Sequence, residues 1–92
     1  MNNEELRDRG VHAAALLEDE LLQEALTAIR NEFMTAWKAS PARDVEGRER
    51  IWMMIRIADK FEANLKSHMA EGKLAERILA DEKGKIRQMF GR

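Results

Sequence analysis

From Ile51 to Gly72 the chain reads I-W-M-M-I-R-I-A-D-K-F-E-A-N-L-K-S-H-M-A-E-G. At about 100° per residue, Ile51, Met54, Ile55, Ala58, Leu65 and Met69 fall on one helical stripe. Met53, Ile57, Phe61 and His68 form a second stripe beside it. The two together cover roughly 200° of the circumference, where a helix with one neighbour needs little more than about 100°. This segment therefore predicts a helix with at least two partners.

The rest of the sequence agrees with a helical fold. Ala, Leu, Glu, Lys, Arg and Met dominate, the single proline is Pro41, and no strand-like alternation of useful length occurs. A chain of 92 residues makes one domain at most, and one this small buries only about 60–65 % of its unfolded surface. Cysteine is absent, so no disulfide compensates; that suits a reducing compartment. The first ten residues, M-N-N-E-E-L-R-D-R-G, do not resemble a secretory signal. The longest apolar runs, such as Ala13 to Leu17, are far short of the roughly 20 residues of a membrane span, so no membrane partner is expected.

Charge is graded along the chain. Residues 1–38 hold eight acidic and four basic side chains, residues 39–72 six of each, and residues 73–92 three acidic and six basic. The balances are −4, zero and +3, giving the net −1. An acidic front and a basic tail favour head-to-tail or antiparallel contact between copies, although solvated helix faces give the same pattern.

Four segments follow from periodicity and punctuation. Residues 3–17 read as a short helix that Gly10 weakens. Asp19 can cap a new helix, and one uninterrupted helix over 3–38 is the alternative. Residues 20–39 carry a clean stripe: Leu22, Leu26, Ile29, Phe33 and Ala36 keep the 4-3-4-3 spacing of a coiled-coil seam, with Ala25 and Trp37 beside them. Pro41 ends this helix, and Ser40 or Asp44 starts the next. A link this short predicts an antiparallel hairpin. The second long helix is expected over 44–71, with Gly72 as its stop. Leu74, Ile78, Leu79, Ile86 and Phe90 then make a weaker pattern, a short helix or tail over 73–92. The expectation is one all-α helical-hairpin domain with short flanking helices, oligomeric, with Leu22, Leu26, Ile29 and Phe33 meeting Ile51, Ile55, Ala58, Leu65 and Met69 in the seam.

Catalytic chemistry has little to draw on. There are two histidines, His12 and His68. Ser67 is adjacent to His68, and helix neighbours point about 100° apart. His68 and Glu71 share a face, but two ligands do not make a metal site, and the Glu-x-x-His spacing of bundle carboxylate centres is absent because Leu65 stands three before His68. Gly72-Lys73 and Gly84-Lys85 lack the rest of a phosphate loop. The chain reads as a non-enzyme with no cofactor.

Contact residues are better marked. With the hairpin seam assigned, Trp52, Met53, Ile57 and Phe61 are left over as a second interface. Glu62 projects near the middle of the main apolar stripe, where a charge is costly unless paired or hydrated. It is either a hydrated opening in the seam or a register-setting contact, with a basic residue of another copy as one partner. Trp37 and Trp52 flank the turn. Nucleic-acid contact rests on Lys83, Lys85, Arg87 and Arg92, diluted by three acids.

The stretches A-L-L-E-D-E-L-L-Q-E-A-L, A-W-K-A-S-P-A-R-D-V-E-G-R-E-R-I-W-M-M and L-K-S-H-M-A-E-G-K-L-A resemble small helical-hairpin proteins of tailed phages and prophages, whose genes often lie among head and packaging genes. The resemblance covers about residues 14–75, and no site residues come with it. It implies a phage setting, in host cytoplasm or virion, and a role in virion structure or head assembly. It also implies two alternatives: a DNA-packaging component of small-terminase type, without the N-terminal DNA-binding helices many of those carry, or a small inhibitor docking on a host protein. The partners implied are further copies of the chain, other phage structural proteins, a host protein or DNA.

Overall fold

A computed structural model describes residues 1–90. Helices take up 91 % of it, and no strand occurs among the described residues. The protein is all-α: α1 spans Asn3–Glu18, α2 Glu20–Ala39 and α3 Val45–Phe90. Contacts gather in two compact units. One holds residues 1–16 with the chain from 65 onward; the other holds residues 17–64. The long third helix contributes its first half to one unit and its second half to the other.

The helix boundaries follow from caps. Asn2 starts α1, its side-chain oxygen accepting from the Glu5 N–H at 2.8 Å. The chain then breaks at Asp19, so the single helix over 3–38 is not formed. Asp19 is extended (φ −66°, ψ 118°), and its carboxylate accepts from the Leu22 N–H at 2.8 Å. The Gln23 side-chain amide donates back to the Leu17 carbonyl at 3.0 Å, satisfying one free acceptor at the end of α1.

The turn after α2 divides its two candidate caps. Ser40 closes α2: its hydroxyl donates to the Trp37 carbonyl at 2.5 Å. Asp44 opens α3: its carboxylate accepts from the Gly47 N–H at 3.1 Å. Gly47 leaves room for that carboxylate, since a Cβ there would stand 2.2 Å from one of its oxygens. Arg48 ties both sides of the turn together. One terminal guanidinium nitrogen donates to the Trp37 carbonyl at 3.3 Å and to the Ser40 carbonyl and hydroxyl at 3.0 Å. The guanidinium carbon also lies 4.1 Å from the centre of the Trp37 ring. A cation at a helix C-terminus is favourable on its own account.

In the unit of residues 17–64, the buried centre is Leu26 from α2 with Ile55 and Ala58 from α3. In the unit that holds α1, the buried residues are Gly10 and Ala13 from α1 with Gly72 and Ala75 from α3. This is a close approach of two backbones. A Cβ added to Gly72 would stand 2.6 Å from the Gly10 Cα and 3.0 Å from the Leu6 carbonyl oxygen. One added to Gly10 would meet the Gly72 Cα at 2.6 Å and the His68 carbonyl oxygen at 3.0 Å.

Gly72 thus corrects the expected stop. The helix does not end there but runs on to Phe90 without interruption, and the separate short helix over 73–92 is absent from the described residues. Glycine in a helix interior costs up to about 1 kcal/mol in propensity; here that loss is set against packing that no larger residue permits. Leu65 and Met69 are corrected with it. Expected in the seam with Leu22 to Phe33, they belong to the unit built with α1, where Met69 lines a crevice beside Gly10, Val11 and Ala14.

Candidate protein-contact face

The unit of residues 17–64 leaves one flank of its helix pair uncovered. On α2, Leu22, Ala25, Ile29 and Phe33 follow one another at three- and four-residue steps and so share a side. On α3, Met54 and Phe61 are linked by such steps through both Ile57 and Ala58. The two rows border a groove of about 380 Å³. Leu26 and Ala58 close its floor, while Ile57 is 65 % and Phe61 51 % exposed. Leaving such side chains in water forgoes roughly 25 cal/mol for each Å² of apolar surface. These side chains make the flank a candidate contact face.

The predicted interface residues separate on inspection. Ile57 and Phe61 line the groove. Met53 and Ile57 continue it round α3 onto a shallow surface bordered by Arg56 and Lys60. Trp52, 52 % exposed, lines neither surface: adjacent to Met53 and five residues before Ile57, it points to another side of α3.

Glu62 faces the helix pair itself, and its charge is answered within the chain. Arg30 of α2 donates from Nη2 to Glu62 Oε2 at 2.5 Å and from Nε to Asp59 Oδ1 at 2.9 Å. Asp59 and Glu62 are three apart, one above the other on α3. The Glu62 hydrogen bond, followed by that of Asp59, holds the Arg30 guanidinium above its ordinary pKa against the opposing effect of desolvation. Of the two readings of Glu62, a hydrated opening or a register-setting contact, the structure shows that the charge is paired within the chain, by Arg30. Arg30 and Asp59 were invisible to a search for apolar stripes. The available signal was Arg30 itself, a charge next in angle to Leu26 and Phe33 on the buried side of α2, mirroring Glu62 on α3.

Charged side chains stand outside the groove: on α2, Glu32 is exposed three residues after Ile29, and on α3, Arg56, Asp59 and Lys60 lie with Met53 and Ile57 on the neighbouring shallow surface.

Elsewhere the chemistry is thin. Lys83, Lys85 and Arg87 are exposed in a stretch of α3, residues 80–90, in which every residue is exposed. Arg92 lies outside the described residues. His12 is exposed and His68 half-buried. No group of three or more His, Cys, Asp or Glu side chains suited to a metal ion occurs among the described residues. No helix among them is long and apolar enough to cross a membrane. No family model matches the chain, and neither does any curated protein or solved structure.

Proposed function

We propose that this chain is a non-enzymatic, self-associating helical protein that works through helix–helix contact in the virion structure or head assembly of a tailed phage. In this reading α2 and the first half of α3 form an antiparallel hairpin, and the hairpin is the assembling part. The contacts Trp37–Arg48 at one end and Arg30–Asp59 and Arg30–Glu62 further along support that direction, because the residue numbers rise on α3 as they fall on α2.

The observation that carries the reading is the groove with Ile57 and Phe61 standing in water. A small protein gains stability by covering such surface, and association supplies what a chain this size cannot bury alone. The phage setting rests on the resemblance over residues 14–75 and places the protein in host cytoplasm or virion, with other phage structural proteins as further partners. The non-enzymatic reading rests on the residue inventory, with two histidines and no cysteine.

Light scattering coupled to size exclusion tests it. The expected mass is a multiple of the 10.6 kDa chain; a stable 10.6 kDa species at micromolar concentration rejects self-association.

A second reading has one observation of its own. Exposed Lys83, Lys85 and Arg87 suit a DNA-packaging component of small-terminase type, touching phosphates with its tail. A titration with duplex DNA decides it: binding that weakens steeply with salt supports it, and absent or salt-insensitive binding rejects it.

A further inference from the structure

We propose that residues 83–90 of α3 are a docking surface for an anionic lipid bilayer, lying in the plane of the headgroups with Ile86, Met89 and Phe90 inserted. This goes beyond the self-association argued above and does not depend on the α2–α3 groove.

The character of α3 changes along its length. Residues 83–90 read K-G-K-I-R-Q-M-F, with three bases, no acid and three large apolar side chains. Nothing covers them among the described residues: Ile86 is 57 %, Met89 76 % and Phe90 77 % exposed. Lys83, Lys85 and Arg87 are exposed too and form no ion pair among the described residues. The helix sorts the two kinds of side chain. At about 100° per residue, Ile86, Met89 and Phe90 fall within about 100° of arc. Lys83 and Lys85 stand on either side of that arc, Arg87 continues the Lys83 edge one turn on, and Gly84 and Gln88 take the far side. An apolar strip between two basic edges suits a helix that lies on a membrane rather than spanning it. The apolar side chains enter the boundary between headgroups and acyl chains, while the Lys and Arg stems reach back to the lipid phosphates. The same bases suit nucleic-acid phosphates, but that contact leaves Ile86, Met89 and Phe90 in water. A lipid surface takes both. With three apolar side chains the contact is shallow and reversible, not an anchor.

The test is co-sedimentation of the full chain with vesicles, of phosphatidylcholine alone and of an equimolar mixture with phosphatidylglycerol, with helical content followed by circular dichroism. The chain is expected to bind the mixed vesicles about tenfold or more tightly than the neutral ones, and added salt is expected to shrink that preference. Ile86→Ser with Phe90→Ser is expected to weaken binding to the mixed vesicles about tenfold or more, while Phe90→Leu, which stays apolar, holds within about threefold of the parent. Lys83→Gln, Lys85→Gln and Arg87→Gln together are expected to abolish the preference for the mixed vesicles. All these side chains are exposed, so helical content should stay that of the parent. Equal binding to both kinds of vesicle, or mixed-vesicle binding that survives Ile86→Ser with Phe90→Ser, overturns the proposal. So does a parent chain that leaves the vesicles unbound, whether or not it binds duplex DNA assayed beside them. Native mass decides self-association separately, so the two readings fail independently.

Discussion

The two packed regions of this chain use the same long helix in opposite ways. Where α3 meets α1 the contact is made by Gly10, Ala13, Gly72 and Ala75, and the backbones come so close that a single methyl group has no room. Where α3 meets α2 the contact is made by Leu26, Ile55 and Ala58, with larger side chains holding the helices apart and a groove left open on one flank. Close approach by small residues leaves no room for a side chain at the point of contact. Packing by large residues buries the middle of a wide apolar arc and leaves its edge in water. The first contact is fixed by backbone approach; the second leaves an apolar groove open on one flank.

Substitutions that reverse these properties sharpen the contrast, and the largest effect belongs to the region of close approach. Gly72→Ala places a methyl group 2.6 Å from the Gly10 Cα, so backbone has to move. Overpacking outweighs the gain in helix propensity, and a loss of about 2–3 kcal/mol is expected in urea unfolding. A neutral or stabilising result would mean that the glycine contact is not close. In the open region, Arg48→Ala removes the cover from Trp37 and the donor to the end of α2, for an expected loss of about 1–2 kcal/mol in the same measurement. Arg48→Lys keeps the charge without the planar fork and is expected to recover only part of it.

A smaller effect of opposite sign comes from the same helix and the same residue type. A Cβ at Gly84 meets nothing within 4 Å, so Gly84→Ala should stabilise by about 0.5–1 kcal/mol through helix propensity alone. Thermal unfolding of Gly72→Ala and Gly84→Ala side by side reads the difference between a glycine that is packed and one that is not. Smallest on the fold itself is Ile57→Asn. The side chain is 65 % exposed, so helical content and unfolding midpoint in dilute solution should change by no more than about 0.5 kcal/mol.

Most of the helical layout was legible because local signals mark it. Pro41, Asp19 and Asp44 act within a few residues of where they stand, and the structure divides the roles of Ser40 and Asp44 by ordinary capping. Gly10 and Gly72 were misread for a physical reason. In one dimension a glycine is a weak point or a stop, and only the opposite helix reveals it as a contact; that information lies 62 positions away, from Gly10 to Gly72, in a pairing no periodicity records. Leu65 and Met69 were assigned to the seam with α2 because periodicity names an apolar face but not the helix it meets; they fall in the unit that holds α1. The apolar excess of residues 51–72 was visible from the start, but its division was not. Met53, Ile57 and Phe61 lie on the flank where the groove opens, Trp52 points elsewhere, and Glu62 is answered by Arg30.

The central claim is that the open flank of α2 and α3 is an association surface, and native mass compared between the parent chain and Ile57→Asn tests it most directly. The account predicts a parent mass that is a multiple of 10.6 kDa and a variant that falls to the mass of one chain with its helical content intact. A parent that is already a single chain at micromolar concentration, or a variant that assembles as the parent does, would contradict it.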